Sequence, residues 1–202
     1  MKVKILTSYP KQTFNVDNVF FSSDLHEGHQ AMIDFGRNFN SLDEMNLHIV
    51  DEINRKVGEK DLLVVLGDTM MSEKDYNGFL RKLNCNSIIM LYGNHCSLSK
   101  MLSITSDKLL YQGYYLELSV DGQIICCQHY PSFNWNYQDQ NSISLHGHLH
   151  ADESDVVKEI HKYKSMDVGI DNYYKMFREY NVFSFAEIKE ILKDKLIIGR
   201  HG

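Results

Sequence analysis

The feature that most constrains this chain is a repeated local pattern in which a short apolar run stops abruptly at a small polar cluster. Asn18-Val-Phe-Phe-Ser-Ser23 runs into Asp24-Leu-His-Glu-Gly-His29, Asp61-Leu-Leu-Val-Val-Leu66 into Gly67-Asp68-Thr69, and Ser87-Ile-Ile-Met-Leu-Tyr92 into Gly93-Asn94-His95. In the second half, Ile124 to Gln128 leads to His129-Tyr130-Pro131, and Ser142-Ile-Ser-Leu145 leads to Gly147-His-Leu-His150. Apolar runs of this length bounded by turn residues predict strands, and a continuous run such as 61–66 predicts one buried on both faces. Seven of the ten histidines fall in these segments: His26 and His29, His95, His129, and then His146, His148 and His150. In mixed α/β folds ligands sit beyond the carboxyl ends of strands, so the clusters are expected to share one site.

The intervening segments supply the rest of such a fold. Ser41-Leu-Asp-Glu44 reads as a capping box opening a helix with Leu42, Met45, Ile49 and Ile53 on one stripe, and Gly58 follows its end. Ser72 is expected to cap a helix carrying Tyr76, Phe79, Leu80 and Leu83. Residues 114–120 and 124–128 around Asp121-Gly122 read as an antiparallel hairpin. Residues 132–140 around Trp135 read as a surface loop, 156–168 as strand-like pieces, and Ser184-Phe-Ala-Glu187 as a second capping box opening a closing helix. With no internal repeat or linker, residues 1–202 are expected to form a single α/β domain, with helices covering the outer faces of its sheets.

Composition narrows the function. Hydrophobic residues make up 43% and charged residues 24% of 202, with 2 Pro and 12 Gly, which excludes disorder and collagen-like repeats. The balance of 21 basic against 27 acidic residues, net −6, argues against a histone-like or polybasic membrane role and against long duplex nucleic acid as a partner. Neither a membrane-spanning run nor a signal-peptide pattern is found, so a cytoplasmic protein is expected. Cys85, Cys96, Cys126 and Cys127 form no C-x-x-C pair and read as reduced thiols, the adjacent pair pointing to opposite faces of a strand.

The candidate metal ligands, in order, are Asp24, His26, Asp68, Asn94, His129, His148 and His150. Each alone has an ordinary explanation as a turn, cap or hydrogen-bonding residue; the strongest pair is His148 and His150, which share one face of an extended segment. Seven oxygen and nitrogen ligands exceed the need of one ion and fit two ions sharing a bridging carboxylate. Two ions roughly 3.5–4 Å apart can hold a bridging hydroxide as nucleophile and clamp the attacking and departing oxygens at phosphorus, so phosphoester hydrolysis is the expected chemistry.

The order D-x-H, G-D, G-N-H, H, G-H-x-H resembles the calcineurin-like metallophosphoesterase superfamily over roughly residues 18 to 170. Ser22-Ser-Asp-Leu-His-Glu-Gly-His29, His129-Tyr-Pro131 and Met166-Asp-Val-Gly-Ile-Asp171 further resemble small bacterial and phage phosphoesterases. The resemblance implies a four-layer α/β/β/α sandwich of two mixed sheets flanked by helices, with a dinuclear site at one edge. It implies that Asp24, His26 and His150 hold one ion, that Asn94, His129 and His148 hold the other, and that Asp68 bridges them. It makes His95 the general acid, facing the substrate without ligating metal. The ions expected are divalent, manganese first, with iron, zinc, nickel, cobalt or magnesium as alternatives.

Two positions depart from the superfamily pattern. Met70 and Met71 stand where an Asp or His often orients the signature histidine, and Cys96 stands where an acidic residue often follows G-N-H. Cys96 reads either as a small residue holding the turn or as an inward-facing thiol. Asp167 is a candidate partner for a ligating histidine. For the substrate, Arg37 is either a phosphate contact or an ordinary surface arginine, and Trp135, with Phe133, Tyr137 and Tyr130, either stacks on a base or anchors its loop. The leading reading is a phosphodiesterase on a nucleotide or other small phosphodiester. The alternatives are a phosphomonoesterase or nucleotidase, and a non-catalytic binding scaffold with the same fold.

Overall fold

Two mixed β-sheets lie face to face and are flanked by helices, as expected for this class. The computed structural model describes residues 1–7, 12–71, 75–152 and 154–199, with every side chain among them except that of Phe14. The strands are β1 (Lys2–Ile5), β2 (Gln12–Asn15), β3 (Val19–Ser22), β4 (Leu62–Val65), β5 (Ser87–Leu91), β6 (Leu109–Gly113), β7 (Tyr115–Val120), β8 (Gln123–Gln128), β9 (Ile143–His146), β10 (Ser165–Asp167) and β11 (Phe183–Ser184). The helices are α1 (Ala31–Asp34), α2 (Leu42–Lys56), α3 (Tyr76–Lys82), α4 (Leu98–Leu102), α5 (Asp155–Ile160), α6 (Ile170–Phe177) and α7 (Phe185–Leu192). One sheet runs β10-β9-β8-β7-β1-β2 and the other β11-β3-β4-β5-β6. β3, β4, β5 and β6 are parallel neighbours, as are β8, β9 and β10.

Alternation along the central strands divides the core in two. Phe21, Leu62, Val64, Ile89 and Leu91 face the other sheet and meet Val3, Ile5, Leu116, Leu118, Ile125, Cys127 and Leu145. Their neighbours Phe20, Leu63, Val65, Ile88 and Met90 face outward onto Met45, Ile49 and Ile53 of α2 and Phe79 and Leu80 of α3. Strands sandwiched in this way are apolar at nearly every position, which is why the runs read as continuous. The adjacent cysteines divide as predicted: Cys127 lies in the core between the sheets, while Cys126 points out and its thiol reaches the Asn136 carbonyl at 3.5 Å.

Several local expectations need correction. Residues 155–160 form helix α5 rather than strand, with Val157 and Ile160 buried three apart; a helix of six residues is too short for its period to show against β-branched valines. At the start of α2, Ser41 caps the Glu44 N–H, but Glu44 accepts from Asn40 rather than closing the box on Ser41. The expected cap at Ser72 lies outside the described residues, and α3 begins at Tyr76 with Asp75 as its N-cap. Strands β1 and β2, at the edge of the six-stranded sheet, carry no strong sequence signal.

The capping box of α7 is complete, and Lys56 lies within 3.0 Å of both Glu187 carboxylate oxygens. Burial alone would raise the Glu187 pKa, but the bonds from Lys56 and Ser184 hold it below its usual 4.5. The unfolded chain therefore takes up this proton before the folded one. The stabilisation is full above pH 4.5 and is lost as pH falls through the lower folded value. Glu187→Gln is expected to cost about 1 kcal/mol near neutral pH, with the gap to the parent closing in acid. Urea midpoints of the two proteins near neutral pH and below the usual Glu pKa check this.

Candidate metal centre

The polar ends of β3, β4, β5, β8 and β9 converge at one edge where the two sheets meet. The loop after β3 is tied to the loop after β4 by backbone bonds from Asp24 N to Gly67 O, His26 N to Asp68 O and Glu27 N to Thr69 O, each 3.0–3.1 Å. Two glycines permit the approach of the remaining loops. A Cβ on Gly93 would collide with the Asp68 carboxylate, and one on Gly147 with Ser23 Oγ and Asp24. Asp24, His26, Asp68, His148 and His150 all have left-handed backbones, with φ of 56°, 53°, 47°, 73° and 47°. Such conformations are uncommon outside glycine and cluster at functional sites.

Two sets of ligand atoms form, Asp24 with His26 and His150, and Asp24 with Asp68 and His129, each set within 4.8 Å. Asp68 Oδ2 lies 3.3 Å from His129 Nε2 and 4.0 Å from His26 Nε2, so it faces both sets. Asn94 Oδ1 is 2.9 Å from His129 Nε2. His148 stands beside the second set, its ring 5.2 Å from that of His129 and its backbone N–H donating to Asp24 Oδ2. The seven sequence-predicted ligands therefore lie together, with Asn94 and His148 at the margin of the second set.

Three observations fit this donor set to cations. Asp24 Oδ1 and His26 Nε2 are buried with no hydrogen-bond partner, yet both point into the first set. With its Nδ1–H donated to the Leu66 carbonyl at 2.9 Å, a neutral His129 turns the Nε2 lone pair toward the oxygens of Asn94 and Asp68. Burial first, and then Asp167, push the Asp24 carboxyl up to about 7 against the pull of His129 and His150. Burial, followed by Arg37, pushes His26 down to about 3. A site that disfavours both a bare carboxylate and an imidazolium, with its acceptors converging, suits a metal cation that neutralises Asp24 while His26 stays a neutral donor.

His95 is half-buried, and its backbone N–H donates to Asp68 Oδ1 at 2.8 Å. Its ring stands edge-on to His26 at 5.1 Å and tilted against His29 at 5.2 Å, and takes no hydrogen bond from the other described residues. Where Met70 and Met71 leave no orienting side chain, these two histidines flank the ring. Cys96 holds the turn: its Sγ accepts from Gly93 N at 3.3 Å and lies 3.9 Å from Asp68 Oδ1.

The readings of Arg37 as a phosphate contact and of Asp167 as a histidine partner need correction, and Trp135 is tied into its own loop. Arg37 is 4% exposed, and the five N–H groups of its guanidinium are all engaged, with Nε and Nη2 on Asp171, Nη1 on Leu25 O and Met45 Sδ, and Nη2 also on Asp24 O. It clamps the first ligand loop and has no N–H left for phosphate. Trp135 anchors its loop, donating from Nε1 to Ser142 Oγ at 3.0 Å, while neighbouring Asn136 bonds Glu117 and Cys126 on the outer face of the six-stranded sheet. The partner of His150 is Asp171, which accepts from Nδ1 at 2.6 Å, and not Asp167, which accepts from Gly169 N and Ala151 N. Burial would raise the Asp171 pKa, but the bonds from His150 and Arg37 hold it well below the usual carboxylate range. The role of Asp171 is hard to find in the sequence because its two partners lie 21 and 134 residues away; the segment 166–171 resembles the family, but nothing local says which of its two carboxylates meets the histidine.

An uncharacterised protein of Methanocaldococcus jannaschii is 28% identical over 158 residues, 76% of this chain and 81% of that protein. A solved structure of a protein of unknown function from Aquifex aeolicus shares the fold with a TM-score of 0.66 at 19% identity, covering 87% of this chain and 99% of that one. The model of the calcineurin-like phosphoesterase family matches residues 18–201, a stretch that contains both ligand sets, His95 and Asp171. With that match over most of its length, this chain belongs to the calcineurin-like phosphoesterases.

Proposed function

We propose that this protein is a cytoplasmic phosphodiesterase acting on a nucleotide or other small phosphodiester, with two divalent ions as cofactors, manganese first. The observation that carries the reading is the pair of ligand sets sharing Asp24 and facing Asp68, with the unengaged His95 ring beside them. Asp24, His26 and His150 would hold one ion and Asn94, His129 and His148 the other, with Asp68 between them. Two such ions supply Lewis acidity that lowers the pKa of water and neutralises charge developing on phosphoryl oxygens. Leu66 O and Asp171 fix the ring orientations of His129 and His150 through their Nδ1 atoms. Asp68 fixes the backbone at His95, whose ring delivers a proton to the departing oxygen. The net charge of −6 supports a small ester over a long duplex, and the four cysteines, all free thiols, are in keeping with the cytoplasm. Among the described residues no helix is long and apolar enough to cross a membrane.

Hydrolysis of bis-p-nitrophenyl phosphate beside p-nitrophenyl phosphate tests the reading, on chelator-stripped protein resupplied with manganese, nickel, zinc or magnesium. The expected result is metal-restored turnover favouring the diester. Preference for the monoester would replace the proposal with a phosphomonoesterase, and absence of both turnover and bound ions would replace it with a binding scaffold.

A further inference from the structure

A cleft of about 640 Å³ opens directly from the metal centre, with His26, His95 and His150 on its inner wall. Its volume falls within the usual range for small-molecule pockets. Its outer wall is aromatic. Half-buried Tyr174 stacks on buried Tyr180 at 4.3 Å with an interplanar angle of 13°, and both line the cleft. Phe35, at the end of α1, lines the same cleft and is 82% exposed. Exposed apolar side chains are ordinary taken singly; what sets Phe35 apart is that it stands on the cleft that opens from the metal centre, beside Tyr174 and Tyr180.

The cleft is also short of free charge. Arg37 and Asp171 line it but are engaged with each other, with His150 and with backbone carbonyls, and the Tyr180 hydroxyl accepts from Asn38 N. No unpaired cation among its described lining residues awaits a second phosphate group, whereas a flat uncharged ring finds stacking surfaces on Phe35 and Tyr174.

We propose that this cleft seats the ester substituent of the substrate, and that the substituent carries a single uncharged planar ring, either the base of a nucleoside or an aryl group. Phe35 and Tyr174 are its specificity-determining residues. The inference rests on the proposed function, in which phosphorus is handled at the metal centre. Sugar phosphates without a ring and esters with a polyphosphate substituent are poor substrates on this view.

Binding to metal-free protein, followed by calorimetry, separates the inference from hydrolysis. Adenosine and 2-naphthol are the two ring probes, and ribose is the control. At least one ring probe is expected to bind, ribose is not, and Phe35→Ala or Tyr174→Ala is expected to weaken ring binding by about tenfold, the scale of one stacked ring. Whichever probe binds more tightly identifies the source of the ring. On metal-loaded protein, the ratio of kcat/KM for methyl p-nitrophenyl phosphate, which carries a planar ring, to that for dimethyl phosphate, which carries none, is expected to fall about tenfold in Phe35→Ala. Ribose binding as well as the rings, no ring binding, or variants that bind like the parent would overturn the cleft assignment. Turnover without preference for a ring would do the same while leaving the hydrolase reading intact. Phe35-dependent ring binding without turnover of any ester would do the opposite, sparing the cleft assignment and overturning the hydrolase.

Discussion

Asp68→Asn is expected to lower metal-restored turnover by about a thousandfold, roughly 4 kcal/mol in the transition state, and to weaken uptake of both ions. The substitution is well matched to its purpose because asparagine tolerates the left-handed backbone at this position, φ 47°, and retains an Oδ1 to accept the His95 N–H. What changes is the other atom. Oδ2, which faces His129 Nε2 at 3.3 Å and His26 Nε2 at 4.0 Å, is lost to an amide that donates where an acceptor is needed. Calorimetric titration with manganese beside the diester assay checks both halves, and turnover at parental rates would remove Asp68 from its place between the ion sites.

The second large effect concerns the clamp beneath the centre. Asp171→Ala is expected to cost about 3 kcal/mol of stability, because it leaves the Arg37 guanidinium, whose side chain is 2% exposed, buried without its counter-ion. The same change removes the 2.6 Å acceptor of His150 Nδ1 and is expected to weaken metal affinity by roughly ten- to a hundredfold. Arg37→Met combined with Asp171→Leu separates the two losses, since replacing a buried pair with apolar residues is often close to neutral. The double variant is expected to regain most of the stability but none of the affinity. Urea unfolding of metal-free protein gives the first quantity and manganese titration the second.

The parts of this protein that are legible in its sequence are those whose cause is local. Strands β3, β4 and β5 announce themselves because both faces are buried and all their residues but Ser22 and Ser87 are apolar, and Asp121-Gly122 marks its hairpin because both residues need positive φ. The capping box of α7 is likewise a four-residue statement. Arg37, Trp135 and Asp171 are opaque for the opposite reason. Whether an arginine meets phosphate or a buried aspartate depends on a residue 134 positions away, and whether an indole stacks on a ligand depends on a serine carbonyl and hydroxyl it reaches only after the loop has folded back. Helix α5 escapes a sequence reading because its signal is shorter than the period needed to recognise it.

The left-handed backbones of the ligand loops also set which amino acids can occupy them. Five positions at the centre hold φ between 47° and 73°, a region that aspartate, asparagine, histidine and glycine enter far more readily than branched or bulky residues. Those first three types are also the ones that can ligate a hard or borderline divalent ion. Steric and coordination demands thus favour the same small alphabet, and a substitution to valine or isoleucine at Asp24, His26 or Asp68 fails on backbone grounds before its chemistry is tested. The routes open to mutation at these sites lead mainly from one ligand type to another, which favours a change of metal preference over the conversion of the pocket to an apolar one.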